Sequence, residues 1–163
     1  MTIPIDKQTG PQLGHLSEDI SFVTRILRSK ILLRNAPFFA NHQAAAGEVA
    51  VLNLIGINPG LTQKELSQMV VLRKSALTKL VNELERGGLI ERRKEGSDKR
   101  LNALYLTAEG ESRLTRLRPD MARLQEDMLA PLSPAERAIL FELLWRIIDE
   151  ADAPEAREPD QPT

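Results

Sequence analysis

Between Leu61 and Gly110 the spacing of apolar residues changes period, and that change limits the folds open to the chain more than any other feature. "LTQKELSQMVVLRKSALTKLVNELERGG" carries apolar residues three and four apart, the repeat of helices packed on one side. "GLIERRKEG" and "RLNALYLT" are strand-like runs, with Leu101, Ala103 or Leu104, and Leu106 inward in the second and Gly96 in the tip between them. Thr62 followed by Glu65 is a capping box that starts one helix, with Leu66 and Val70 inward. After "VVLR" a second helix carries the stripe Leu77, Leu80, Val81 and Leu84 and stops at Gly87-Gly88.

The flanking segments read as helices. Ser17, with Glu18 and Asp19 behind it, is expected to cap a helix reaching about Asn35, with Ile20, Val23, Ile26, Leu27 and Ile31 at helical spacing and Pro37 breaking or restarting the chain. "GEVAVLNLIGINPG" predicts a short buried helix with Val49, Leu52 and Ile55 on one face. Beyond Thr107, Leu114, Leu117, Met121, Leu124 and Met128 alternate three and four apart, a coiled-coil-like seam. Ser133 to Glu136 is a second capping box with Pro134 at the first helical position, followed by the broad apolar face from Ile139 to Ile148.

The expected class is therefore mainly α with a small β-wing. Its parts are a flexible arm over 1–14, a helical dimerisation region over 15–46 and 107–150, a winged helix-turn-helix over 47–106 and a disordered acidic tail over 151–163. Helix, turn, helix and two-stranded ribbon is the order of a fold whose second helix enters the DNA major groove.

Charge agrees with that reading. The net charge of −1 hides a segregation: residues 61–106 hold ten Lys/Arg against six Asp/Glu, whereas 149–163 hold one Arg against six acids. Positive charge concentrated in one internal third is where a polyanion is met. Without cysteine the chain has no disulfide, thiolate metal site, cysteine nucleophile or thiol redox sensor. No long apolar run and no signal-peptide pattern is present, so a cytoplasmic protein away from membranes is expected.

On the second helix the exposed residues are expected to be Lys74, Ser75, Thr78, Lys79 and Asn82, the donors and acceptors that phosphates and base edges require, with Arg73 just before them adding a phosphate contact. Arg92, Arg93, Lys94, Lys99 and Arg100 would sit beside the duplex backbone, one arginine entering the minor groove. Asp98, a lone acid at the tip, is assigned to holding a nearby arginine or the turn in register.

"LTQKELSQMVVLRKSALTKLVNELERGGLIERRKEGSDKRLNALYLTAEG" resembles the MarR family of transcriptional regulators, above all in the wing pattern Asp-x-Arg followed by Leu-Thr-x-x-Gly. The resemblance runs from about Ser17 to Glu150, since "LSPAERAILFELLWRI" is similar to that family's final dimerisation helix. It implies an obligate homodimer whose N- and C-terminal helices intertwine and whose winged domains read a pseudo-palindrome in double-stranded DNA. Asp98 and Arg100 match the family's wing pair, and Ser75, Thr78 and Lys79 its recognition-helix contacts. Val71 departs from the glycine usual at the inter-helix turn, and Arg73 from the usual capping Asp or Ser.

The resemblance also implies release of DNA by a small-molecule effector, at the family level an aromatic acid, a phenolic or its CoA thioester. Phe38, Phe39, Asn41 and His42 are of the types that stack on a ring and bond its polar group, and Arg25 and Arg28 of the type that pairs with a carboxylate. The plainer alternatives are that the phenylalanines are core, that His42 is a surface or helix-end residue and that the arginines are a solvated face. No cofactor is expected, and His15 and His42 lack a metal-ligand spacing. No phosphate-cradling glycine loop, nucleophile elbow or histidine-acid motif points to an enzyme. The rival is a protein-interaction module in which the helical seams are the function and the basic third is incidental.

Overall fold

The computed structural model describes residues 12–45, 47–94 and 102–151. A 3-10 turn, Gly14–Ser17, leads into α1 (Ile20–His42), α2 (Glu48–Ile57), β1 (Leu61–Thr62), α3 (Gln63–Met69), α4 (Lys74–Arg86), β2 (Ile90–Lys94), β3 (Asn102–Leu106), α5 (Ala108–Leu129) and α6 (Pro134–Ala151). The chain clusters into two compact units, Met1–Leu124 and Gln125–Thr163. Most of the expected N-terminal arm and the acidic tail lie outside the described residues.

Local chemistry starts α3 and α6 as the sequence predicts. Thr62 and Glu65 form the full capping box: the threonine N–H and hydroxyl donate to Glu65 Oε2 at 2.8 and 2.7 Å, and Glu65 N–H donates back to Thr62 Oγ1. Ser133 and Glu136 repeat the arrangement at α6. Hydrogen bonds from Thr62 and from Ser133 hold both carboxyls below the usual glutamate range. A folded-state pKa below the unfolded one gives stability that is present above the unfolded value and lost as pH falls through the folded value. Thr62→Ala is therefore expected to lower the denaturation midpoint at neutral pH, with the gap to wild type narrowing in acid.

The N-terminal helix corrects the sequence reading twice. Its cap is Asp19, whose carboxylate accepts from Phe22 N–H at 2.7 Å, whereas Ser17 donates to Gly14 O inside the preceding turn. Pro37 does not break the helix, which continues to His42. Proline removes the bond to one carbonyl a turn earlier, and burial of Phe38 directly after it supplies packing that keeps the helix going. Gln43, left-handed at φ 49°, ends it. Pro119 likewise sits inside α5.

The first unit is built on one core. Val51, Leu52 and Ile55 of α2 meet Leu66 of α3, the Leu77, Leu80, Val81 and Leu84 stripe of α4, Ile90, Leu104 and Leu114. Val51, rather than the expected Val49, is the fully buried valine of α2. Of the wing residues left open, Ala103 and Leu104 are both buried. The expected two-stranded ribbon is a three-stranded antiparallel sheet in the order β1-β3-β2. β1 is only Leu61 and Thr62, pairing with Leu104 and Ala103, and two residues carry no alternation by which a strand is recognised.

The Leu-Thr-x-x-Gly run acquires a physical reason here. Thr107 N–H donates to Leu89 O at 3.1 Å, while its hydroxyl donates to Gly88 O and accepts from Gly110 N–H at 3.0 Å, capping α5. A Cβ on Gly110 would lie 2.0 Å from that same Leu89 oxygen. Gly110→Ala is expected to cost about 1–3 kcal/mol, since the start of α5 must move off the chain entering β2; chemical denaturation at fixed protein concentration measures it.

In the second unit α6 stands with Ile139, Trp145 and Ile147 more than half exposed. Arg137 holds its start, donating to Leu129 O and Leu132 O and pairing with Glu126 at 2.6 Å. No described helix is long and apolar enough to cross a membrane.

Candidate nucleic-acid interface

α4 turns its polar face outward as an open groove of about 820 Å³, lined by Lys74, Ser75, Thr78, Lys79, Asn82 and Arg86. All but Arg86 are residues that helical spacing assigned to this face. Arg86 was missed although it lies four positions beyond Asn82, the spacing that continues the stripe. The buried stripe of Leu77, Leu80, Val81 and Leu84 fixes the opposite side of the helix in the core, so the polar face cannot rotate inward without exposing it. Arg73 is extended ahead of α4 and makes no side-chain cap. The first-turn N–H groups of a helix start carry partial positive charge and suit an anion. Lys79 lies 3.9 Å from Glu83, an exposed pair that salt screens.

The sheet register separates two arginines that the sequence puts side by side. Successive strand residues point to opposite faces. Arg92, opposite Leu104, turns toward α4; Arg93, opposite Ala103, turns away. Arg92 forms an ion pair with Glu85, donates to Asn82 Oδ1 at 2.8 Å and reaches Gln63 Oε1 at 3.4 Å. Arg93 pairs with Glu91 and lies over the Tyr105 ring at 4.4 Å. Arg92 is thus engaged within the protein, only 22% of its side chain remaining exposed, whereas Arg93 is 54% exposed. Gln63 and Glu85 were missed as its partners; the alternation Glu91-Arg92-Arg93 is the signal that one arginine turns inward. Lys94 is exposed, opposite Asn102. Asp98, Lys99 and Arg100, with the internal role assigned to Asp98, lie outside the described residues.

At the far end of α1 the structure gathers some of the expected effector residues and separates others. Phe38 and Phe39 meet edge to face at 5.4 Å, the His42 ring lies 4.7 Å from Phe38, and His42 Nε2 is 2.8 Å from Asp120 Oδ2. Phe38 is core, as the plainer reading had it, while Asn41 is exposed. Arg25 and Arg28 are exposed and lie about 15 to 25 Å back along α1, at about 1.5 Å per residue, so they do not converge with the rings within one chain.

The same junction contains a buried ion pair that sequence reading missed. Glu48, 6% exposed, accepts from Arg113 Nε at 3.1 Å and from Ala45 N–H at 2.9 Å; Arg113 also donates to His42 O at 2.7 Å. One guanidinium therefore ties the end of α1 and the start of α2 to α5. Between α2, β3 and α5 lies a cavity of about 350 Å³ whose lining includes Asn53, Tyr105, Glu111, Thr115 and Arg118. Among the described residues no group of three carboxylates or histidines could hold a metal ion.

A family model described as the MarR family matches residues 45–101, from before α2 to the wing. A putative transcriptional regulatory protein for the hcr operon of Thauera aromatica is 38% identical over 101 residues, 62% of this chain and 61% of that protein's length. Among solved structures, the PcaV transcriptional regulator of Streptomyces coelicolor, in complex with its natural ligand, superposes with a TM-score of 0.72 at 30% identity over 84% of this chain and 96% of that one. The transcriptional repressor CouR, bound to a 23-mer DNA duplex, gives 0.77 at 25% identity over 86% and 99%. These relatives are transcriptional regulators, and the two solved structures share the fold described above over most of this chain. The chain belongs to the MarR family of winged helix-turn-helix transcriptional regulators.

Proposed function

We propose that the protein is a ligand-released repressor that binds a pseudo-palindromic operator as a homodimer. The observation that carries this reading is the polar face of α4: Lys74, Ser75, Lys79, Asn82 and Arg86 along one open groove, held outward by a buried opposite stripe. On this reading α4 lies in the major groove, the α4 N-terminus and Arg73 meet phosphates, and Arg93, Lys94, Lys99 and Arg100 follow the backbone, with Asp98 positioning the tip. Arg92 is reassigned to holding the wing on α4.

Dimerisation is supported by apolar side chains that one chain leaves in water. Ile20, Leu32 and Leu33 of α1 and Ile139, Trp145 and Ile147 of α6 are more than half exposed, and a second copy of the chain covers such faces at a two-fold axis. The effector is an aromatic acid, a phenolic or its CoA thioester, and two observations favour a small molecule: the cavity between α2, β3 and α5 is of ligand size, and a relative was crystallised with its natural ligand.

The test is selection from a randomised duplex library by the full chain, with the stoichiometry of the complex measured by light scattering. Two chains on an inverted repeat is the expected result; enrichment of no sequence would return the protein to the interaction-module reading. Small molecules that co-purify, identified by mass spectrometry, are then added to the complex, and release of the duplex identifies the effector.

A further inference from the structure

Asn82 sits midway along the outward face of α4, and which end of its amide it shows to DNA is decided by the wing. A side-chain amide has an acceptor oxygen on one side and a donor nitrogen on the other, and a guanidinium has donors only. Asn82 therefore turns Oδ1 to Arg92, whose Nη2 lies 2.8 Å away. Arg92 is not free to leave, because Glu85 holds it as an ion pair and Gln63 Oε1 lies 3.4 Å from the same nitrogen. Gln63 is fixed in turn: its Nε2 donates to Thr78 Oγ1 at 3.0 Å, and Thr78 gives its own proton to Lys74 O at 2.9 Å. A chain of bonds from α3 through β2 thus draws the oxygen of Asn82 inward and leaves its NH₂ as the outward group.

We infer that Asn82 is a specificity-determining residue that reads base acceptors only, favouring guanine or thymine, which present a keto oxygen, over adenine at the position it meets. The usual asparagine contact to adenine needs both ends of the amide at the base edge, Oδ1 accepting from N6 while Nδ2 donates to N7. An amide whose oxygen is turned back onto Arg92 cannot place both there. Guanine O6 and N7 and thymine O4 accept from the NH₂ alone; adenine offers it only N7, beside an N6 amine that opposes a donor, and cytosine offers only an amine donor in the major groove. The neighbours Lys79 and Arg86 on the same face are donors as well, so the surface around Asn82 is matched to keto oxygens. Nothing in the residue type gives this preference; it arises because the wing uses the acceptor.

The inference rests on the proposal that α4 enters the major groove, and one experiment separates the two. Full-length wild type, Asn82→Ala and Asn82→Asp are each taken through selection on the randomised duplex library at low salt. In wild type, one position per half-site is expected to favour guanine or thymine over adenine by about fivefold, the lower end for a base contact. Asn82→Ala is expected to flatten that position and leave the others. Asn82→Asp keeps an oxygen on Arg92 and puts a second oxygen outward, so the preference should move to a base with an exocyclic amine. Adenine enriched at the position that Asn82→Ala flattens would overturn the inference while leaving DNA binding intact. Equal weakening on all sequences, which makes Asn82 a phosphate contact, would do the same, as would an unchanged preference in Asn82→Asp. A wild type that selects no sequence overturns both.

Discussion

Affinity for the operator is expected to fall on the order of 1,000-fold between 50 and 200 mM salt if about six phosphates are neutralised. Each neutralised phosphate releases counterions, and about six of them give a log-log slope near −5. The net charge of −1 supplies no general attraction to DNA, so the effect must come from the local excess over residues 61–106. At physiological salt the Debye length is about 8 Å, which limits the range over which any exposed acid repels the duplex. Anisotropy titrations of a selected duplex across the salt series measure the slope. Lys94→Ala, which removes a backbone contact on the proposed reading, should reduce its magnitude by about one. Arg92→Met should leave it nearly unchanged, because Arg92 is engaged by Glu85 and Asn82 within the protein and on the proposed reading meets no phosphate. A slope near zero would mean that the helical faces are the function and the basic third is incidental.

Arg113→Met is expected to destabilise the fold by about 3–5 kcal/mol, because it strands Glu48 as a buried carboxylate without its counter-ion. The Glu48 side chain is 8% exposed and that of Arg113 20%, so water does not replace the lost partner at full strength. The same substitution removes the donor on His42 O, one of the end carbonyls of α1. Replacing both residues, Glu48→Gln with Arg113→Met, is expected to recover much of the loss, since removing a whole buried pair costs far less than removing one member. Chemical denaturation of the two single variants and the double variant at one protein concentration closes the cycle. Additive losses would show that the pair has no coupling. If the junction also transmits effector binding, Arg113→Met should retain operator binding at low temperature while its release by the effector is weakened.

What could be read from the chain alone follows the range of the interactions involved. The boxes at Thr62 and Ser133 are correct because a cap needs only residues three apart. The buried stripe of α4 and the polar groove opposite it are correct because one helical period fixes both. Pro37 misled because the cost of one missing helix bond is local, whereas the burial of Phe38 that offsets it is tertiary. β1 was unreadable because a two-residue strand is defined by its partners, Leu104 and Ala103, about forty positions away.

The arginines mark the division most clearly. The sequence by itself determined that this is a helix-turn-helix with a β-wing, that its positive charge lies in that third of the chain, and which face of α4 is polar. It could not say which arginines are available. Arg92 and Arg93 are chemically equal neighbours, yet the pleat sends one onto Glu85 and Asn82 and leaves the other beside Tyr105 on the opposite face. Arg113 meets Glu48 across 65 positions of sequence. Periodicity depends on spacing within one element and is written in the chain, whereas the partner of a charge depends on which elements the core brings together, and only the tertiary structure decides that.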